Sequence, residues 1–256
     1  MTPATSAVFR ELLRRELGER YRGSLLGATW LLLLPLLQLA VLSWVFGRLL
    51  VSRGDSGDLP YAAFLALGLW PWNLFANALN RGVGAFTENA ALIGRVAVPH
   101  ALYLHARVAA SVLIDLVGFL LVLIVLRLIG TPLHFSGVPV ALAALAILAV
   151  FALAAAGIAA VLQVFLRDIA PAITQLLSLG FFLTPVLYAR ARMPIGVQDW
   201  LAFNPLAAPV EALRTGLSQG GADAAALAVS AAVAVALWLL SRGLLARARP
   251  HLEDFL

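Results

Sequence analysis

The chain of 256 residues contains no cysteine and no lysine, and only 12% of its residues are charged. The absence of cysteine excludes disulfides, thiolate metal sites and cysteine nucleophiles. The absence of lysine excludes a Walker P-loop, whose lysine reaches the terminal phosphates of ATP. The chain is therefore not a conventional P-loop ATPase by itself. If ATP drives its activity, a separate subunit must hydrolyse it.

Apolar residues dominate the composition. They make up 62% of the chain, against about 45–50% in a typical soluble domain, and the mean hydropathy is +0.95. This composition predicts an all-α integral membrane protein with several spans. All 18 basic residues are arginines, and in such a protein a basic balance reflects orientation in the membrane rather than nucleic-acid binding.

Six apolar runs are interpreted as transmembrane helices, since a helix needs about 17–25 apolar residues to cross the hydrocarbon core. They are residues 25–50, 61–79, 104–128, 138–166, 172–188 and 224–245. The whole chain, 1–256, is interpreted as a single transmembrane domain. Pro35 is expected to bend the first span, and Pro171 is expected to occupy the first position of the fifth helix.

Two further segments are helical in pattern but do not fit a crossing. Residues 6–22 alternate leucines with charged side chains at helical spacing, which predicts an amphipathic helix on the membrane surface. Residues 193–222 contain apolar runs interrupted by Pro205 and Pro209. Each run is shorter than a span, so we expect two short re-entrant helices that turn back before crossing.

Residues 88–99 form the main polar break between two spans, and they predict a short amphipathic helix that ends at Pro99. In this pattern Asn89 and Arg95 lie on one side, and Leu92 and Ile93 lie on the other. We expect this segment to act as a coupling helix that docks in a groove of an ATP-binding partner. The proposed contact residues are Glu88, Asn89, Leu92, Ile93 and Arg95. The alternative is an interfacial helix that touches only lipid.

Arginine positions predict the orientation. Twelve of the arginines fall on the side that carries both chain ends and residues 88–99, and six fall on the other side. The positive-inside rule then places both termini and the coupling helix in the cytoplasm. Because six spans around one pathway usually need a second copy to close it, we expect a homodimer.

Several motifs in order resemble the permease subunits of ABC-2-type polysaccharide exporters, which export lipid-linked O-antigen or, next in similarity, teichoic acid. These motifs are Arg20–Gly27, Gly68–Trp72, Glu88–Ala90, Phe165–Ile169, Thr184–Tyr188 and Asn204–Leu206. The resemblance implies a homodimer joined to two ABC ATP-binding subunits in the inner membrane. It also implies a polyprenyl-pyrophosphate-linked glycan as cargo, with ATP and magnesium bound by the partner and no cofactor in this chain.

Other functions stay open at this point. A small-molecule or drug exporter of the same group is the nearest alternative, and a channel or an integral glycan-processing enzyme is the alternative from another class. The four histidines are scattered, and neither a Gly-x-Ser-x-Gly motif nor a paired-acid motif is present. We therefore predict no catalytic residues and no metal site in this chain.

Two sets of residues are candidates for contact with such a cargo. Arg14, Arg15, Arg20 and Arg22 cluster where the surface helix meets the first span. Arginine forms bidentate bonds with phosphate, so these residues are candidates for binding the pyrophosphate. The alternative is that they serve only as the positive-inside signal.

The second set is aromatic and comprises Trp70, Trp72, Phe75, Phe181 and Phe182. Tryptophans usually gather at the membrane interfaces, whereas these rings are expected near the middle of the bilayer. We predict that they line a glycan channel, and ordinary helix packing is the alternative. Asp115, within the third span, either faces a wet pathway, pairs with an arginine of another span, bonds Ser111 one turn back, or lies protonated at a helix interface.

Overall fold

The computed structural model describes residues 3–19, 27–49, 59–93 and 98–255, and within these ranges it contains helices and no strand. The α-helices are α1 (Pro3–Glu19), α2 (Trp30–Leu49), α3 (Tyr61–Val83), α4 (Ala90–Ile93), α5 (Ala101–Leu128), α6 (Val138–Phe165), α7 (Ile169–Leu183), α8 (Ile195–Ala202), α9 (Ala207–Gln219) and α10 (Ala224–Phe255). Short 3-10 turns precede α2, α4, α6 and α8. Residues 84–100, which we call the α3–α5 connection, include α4.

Four helical segments of the described chain are long and apolar enough to cross a membrane: Tyr61–Val83, Ala101–Leu128, Phe135–Phe165 and Ala224–Pro250. Two shorter apolar helices, Leu33–Val45 and Ile169–Leu183, lie where the first and fifth spans were predicted. The prediction of an all-α, multi-pass membrane protein is confirmed. The count of six crossings remains a prediction.

Helix α6 lies at the centre of the fold and packs against α3, α9 and α10. It is rich in alanine, and the two long helices α3 and α10 both approach it closely. A side chain at Gly157 would overlap the Ser241 hydroxyl of α10. Small residues let membrane helices approach closely and gain van der Waals contact, so the alanine and glycine content of α6 explains its central position.

Helix α7 differs from the predicted fifth span of residues 172–188. It begins at Ile169, which puts Pro171 at its third position rather than its first, and it ends at Leu183. Proline is tolerated there because amides in the first turn have no intrahelical acceptor. The helix ends early because Thr184 precedes Pro185 and takes an extended conformation, as sterics before proline favour.

The helices define two ends of the molecule. Helix α1 packs against α5, and the end of α3, the start of α5 and the last turns of α10 lie at the same end, which we call the α1 end. Helices α8 and α9 lie at the opposite end, within the segment predicted to hold two short helices. Gly220 ends α9 with a φ of 78°, a left-handed conformation that glycine adopts without strain. Helix α10 continues to Phe255, well past the predicted end at residue 245.

Candidate functional site

A buried carboxylate lies among three arginines at the α1 end. Glu16 of α1 is 4% exposed, and its carboxylate lies 2.9 Å from the Arg81 guanidinium and 3.5 Å from that of Arg107. Arg15 lies 3.5 Å from the same carboxylate, and Arg107 also pairs with Glu88. We call these five residues the Glu16 cluster. A carboxylate removed from water requires such compensation, so the cluster holds α1, α3, α5 and the α3–α5 connection together.

Asn89 belongs to the interior of the protein rather than to a partner-facing surface. Its side chain is buried, accepts a hydrogen bond from Arg15 and donates one of 2.9 Å to the carbonyl of Ala85. Asn89 was predicted to contact the ATP-binding partner, and its burial in the chain removes it from the accessible surface. Its amide ties the α3–α5 connection to α1 and adds a neutral contact beside the Glu16 cluster.

The apolar edge of the α3–α5 connection also packs inward. Ile93 is buried in the hydrophobic core, and Leu92 is half-buried against the same core. The exposed positions in its described part are Thr87, Glu88, Ala91 and Pro99. A docking surface before residue 94 therefore centres on Thr87, Glu88 and Ala91, because the chain's own core already covers the apolar edge.

The α3–α5 connection is less helical than predicted. It contains a 3-10 turn at Thr87–Asn89 followed by the four-residue helix α4, and residues 98 and 99 are not helical. Sterics disfavour a helical conformation at Val98 because it precedes Pro99. Arg95 lies outside the described residues.

The four arginines predicted to bind a pyrophosphate do not share one environment. Arg14 is exposed on α1, whereas Arg15 contacts Glu16 and Asn89. Arg20 and Arg22 lie outside the described residues. Within the described chain, Arg14 is thus the member of this set whose side chain lies open on the surface.

The structure brings four of the five predicted aromatic residues together. The Trp72 ring centroid lies 5.7 Å from that of Phe75 and 6.1 Å from that of Phe181, and the Phe181 centroid lies 5.3 Å from that of Phe182. Trp70 lies on another side of α3, since two residues turn a helix by about 200°. The contacts place the start of this aromatic row on α3 and its end on α7.

The rings differ in how open they are. Trp70, Trp72 and Phe75 are buried, Phe181 is half-buried, and Phe182 is 60% exposed. In the single chain, the three α3 rings therefore serve as packing. The open part of the aromatic row is the pair on α7.

Three asparagines form a polar stripe on the less buried side of α3, and sequence reasoning did not identify them. Asn73, Asn77 and Asn80 recur at intervals of four and three residues, which places them on one helix face. The Asn77 amide donates a hydrogen bond of 3.1 Å to Asp115, and the Asn80 carbonyl oxygen accepts one of 3.2 Å from Thr174. We call these three residues the asparagine stripe. Their spacing within an apolar span was the signal that could have revealed them.

The hydrogen bond between Asn77 and Asp115 also bears on the alternatives for this acid. Asp115 of α5 accepts a hydrogen bond from a neighbouring helix, rather than from Ser111 on its own helix as one alternative proposed. The asparagine stripe therefore contacts α5 through Asn77 and α7 through Asn80. Helix α7 also carries the exposed ring of Phe182.

At the end opposite α1, a cavity of about 770 Å³ lies between α8, α9 and the neighbouring loops. Its polar lining includes Arg190, Arg192, Gln198, Glu211, Arg214 and Asp223. Burial raises the pKa of the Glu211 carboxyl, and the positive charges of Arg190 and Arg214 oppose that shift. The cavity therefore offers both donors and acceptors for hydrogen bonds.

Arg214 of α9 is a buried clamp at the floor of this cavity. It donates hydrogen bonds of 3.2 Å to the carbonyl of Phe64 and 3.0 Å to that of Val186, and its guanidinium lies 3.8 Å from the Phe64 ring centroid. A side chain at Gly68 would overlap the guanidinium. Burial lowers the pKa of Arg214 to about 10, and Glu211 opposes that shift. At neutral pH the clamp therefore keeps its charge and holds α9 against α3.

Known proteins are similar to this chain over most of its length. The family described as ABC-2 type transporter matches residues 7–217. The O-antigen export system permease protein RfbA of Myxococcus xanthus is 32% identical over 207 residues, covering 76% of this chain and 74% of that protein. A protein of the same name from Klebsiella pneumoniae is 27% identical over 202 residues, covering 78% and 75%. The polysialic acid transport protein KpsM of Escherichia coli is 23% identical over 209 residues, covering 82% and 80%.

Proposed function

Since the chain belongs to the ABC-2 type transporter family, we propose that it is the permease subunit of an ATP-driven exporter of polysaccharide. The cargo is a polyprenyl-pyrophosphate-linked glycan such as an O-antigen, carried across the inner membrane. Relatives named for O-antigen export and polysialic acid transport support a polysaccharide cargo. They are transport proteins by name, which supports a permease over a glycan-processing enzyme.

The family and the composition of the chain support separate ATP-binding subunits. The chain contains no lysine and so no Walker P-loop, and the resemblance to polysaccharide exporters implies two copies of a subunit that binds ATP and magnesium. The permease itself is a homodimer, whose second copy closes the pathway. The arginine distribution supports an orientation with the α1 end and both termini in the cytoplasm.

The Glu16 cluster is the observation that supports a mechanism for passing motion from the ATP-binding partner to the membrane helices. A partner that contacts the exposed Thr87, Glu88 and Ala91 pushes on the α3–α5 connection. Glu88 pairs with Arg107 of α5, and Arg107 lies beside Glu16 of α1. A displacement of the connection therefore moves α5 through the Glu88–Arg107 pair, and it moves α1 through the buried Glu16 carboxylate, whose ion pairs are costly to break.

The cargo path runs along the asparagine stripe of α3, between its contacts with α5 and with α7. The asparagine stripe supplies hydrogen bonds to sugar hydroxyls, and the open rings of Phe181 and Phe182 supply flat apolar surfaces. Such rings contact sugars without demanding one orientation, so a polymer can slide along them. The buried Trp72 ring packs against Phe181, with 6.1 Å between the ring centroids. Phe75 packs in turn against Trp72, at 5.7 Å.

The two ends of this path have different chemistry. Arg14, with Arg15, Arg20 and Arg22 nearby in sequence, receives the pyrophosphate at the α1 end, where guanidinium groups form bidentate bonds with phosphate oxygens. At the opposite end, the cavity of about 770 Å³ receives the emerging glycan. The Arg214 clamp keeps that cavity in shape.

The proposal is tested with the permease and its ATP-binding subunit reconstituted in proteoliposomes that contain a lipid-linked glycan. We expect the glycan to appear on the far side only with hydrolysable ATP. Movement of small amphipathic compounds without movement of the glycan would instead identify a drug exporter. Chemical turnover of the glycan by the chain alone would identify an enzyme and overturn the proposal.

A further inference from the structure

A second cavity, of about 480 Å³, opens at the α1 end between the start of α5, the middle of α6 and the later part of α10. We call it the α5–α10 cleft. Its polar lining consists of His100, His105, Ser241, Arg242 and Arg249. Among the described residues that line it, none carries a carboxylate. The cleft is therefore suited to an anion.

The residues of α10 that line the cleft follow one helical stripe. They are Trp238, Ser241, Arg242, Leu245, Ala246 and Arg249, and each lies three or four residues from another member, the spacing of neighbours on one helix face. From Trp238 to Arg249 this stripe rises by about 16 Å. It begins at the Trp238 ring and ends at the Arg249 guanidinium, near the α1 end of the molecule.

The α5 side of the cleft mixes polar and apolar residues. His100 and Ala101 lie at the start of that helix, and Leu104 and His105 line the inner part of the cleft together with Leu153 of α6 and Trp238. The inner part is thus apolar apart from the His105 imidazole, and the part nearer the α1 end is basic. Arg242 joins the two parts, because its guanidinium lies 4.8 Å from the Trp238 ring centroid.

This gradient matches one kind of ligand. A phospholipid has acyl chains on the membrane side and a phosphate at the surface, and the cleft presents Leu104, Leu153 and Trp238 at depth and Arg249 at its mouth, with Arg242 between them. Basic pockets between transmembrane helices bind anionic headgroups in this way. We propose that the α5–α10 cleft binds one anionic phospholipid of the leaflet at the α1 end, with its phosphate between Arg242 and Arg249.

Helix α10 also provides an internal comparison. Arg247 is exposed on the same helix, within two residues of Arg249, but it does not line the cleft. A general preference for positive charge at this end of the protein would involve all three arginines equally. A built lipid site involves Arg242 and Arg249 and leaves Arg247 aside.

The test is a titration of the purified full-length permease with phosphatidylglycerol, followed by native mass spectrometry. We expect Arg242→Gln and Arg249→Gln each to weaken retention of one lipid molecule by about fivefold, as expected for one arginine near an anionic headgroup. Arg247→Gln should leave retention unchanged. All three variants should melt at the wild-type temperature, since these side chains are exposed.

Three results would overturn the proposal. An equal loss in Arg247→Gln would mean that net charge alone attracts the lipid. Equal retention of phosphatidylcholine would show that the headgroup charge is not recognised. Displacement of the lipid by millimolar inorganic phosphate would identify a site for soluble anions. None of these measurements involves transport, so their outcome is independent of the cargo.

Discussion

The carboxylate of Glu16 lies 2.9 Å from the guanidinium of Arg81, and this ion pair joins a helix at the start of the chain to the end of α3. The two residues are 65 positions apart in sequence. Because Glu16 is almost fully buried, α1 is part of the folded protein at this point and does not simply rest on the membrane surface.

Replacing this carboxylate should lower stability. In Glu16→Gln the charges of Arg81 and Arg107 lose their shared partner, and we expect a loss of about 1–3 kcal/mol. The measurement is the apparent melting temperature of the detergent-solubilised permease, which should fall by several degrees. Glu11→Gln is the matched control, because Glu11 is exposed on the same helix. Equal effects of the two variants would contradict a structural role for the cluster.

Coupling should depend on the exposed side of the α3–α5 connection. Ala91→Trp places a large ring on the proposed docking surface, so it should remove most of the glycan-stimulated ATPase activity of the reconstituted complex. Ala172→Trp is the control, since Ala172 is also exposed at the α1 end. A double change of Leu92 and Ile93 to aspartate is less informative, because it inserts charge next to the core. Full stimulation in an assembled Ala91→Trp complex would exclude docking at this surface.

Export should slow when the open ring of α7 is removed. Phe182→Ala should reduce the rate of glycan movement by roughly fivefold, if one aromatic contact contributes about 1 kcal/mol. Leu183→Ala removes a neighbouring side chain that is equally exposed, at 65% against 60%, and it should export normally. Dimer assembly and basal ATPase activity serve as checks in both variants. A similar reduction in both would indicate helix packing or a lipid contact instead of a cargo path.

The pyrophosphate end should respond to Arg14. Arg14→Gln should raise the concentration of lipid-linked glycan needed for half-maximal transport and leave the melting temperature unchanged. Arg10→Gln serves as the comparison, because Arg10 is exposed one turn earlier on α1. Wild-type transport by Arg14→Gln at matched membrane levels would leave this arginine with a topological role only.

The clamp on α9 makes a prediction about folding. Arg214→Met keeps much of the side-chain volume but leaves the carbonyls of Phe64 and Val186 without their donor. A buried acceptor without a partner costs about 1–3 kcal/mol, so the melting temperature should fall. Arg127→Met is the control, since Arg127 is exposed and lies 5.9 Å from the Phe135 ring centroid. An unchanged melting temperature for Arg214→Met would mean that water replaces the guanidinium.

Features that depend on residues close together in sequence could be predicted. The starts of α3, α6 and α10, at Tyr61, Val138 and Ala224, coincide with the predicted starts of the spans, because hydropathy over 20 residues is a local property. The asparagine stripe is local as well, and its spacing could have been recognised. The early end of α7 was missed because the steric effect of Pro185 on Thr184 outweighs a continuing apolar pattern.

Features that depend on which helices become neighbours could not be predicted. The pattern of the α3–α5 connection indicated an apolar edge at Leu92 and Ile93 but not what covers it, and the tertiary structure covers it with the chain's own core. Likewise, the contact between Arg214 and Phe64 spans 150 positions. Nothing in either local sequence distinguishes a buried clamp from a surface charge.

The sequence by itself determined that this protein is an all-α, multi-pass membrane protein, and its lack of lysine excludes a Walker P-loop from the chain. The first conclusion follows from the apolar composition and the length of the apolar runs, and the second from composition alone, and neither depends on folding. Only the tertiary structure decided that three arginines surround Glu16 and that the Asn89 side chain is buried in the protein. An ion pair forms where burial brings opposite charges together and removes water, and that position is set by the packing of distant helices.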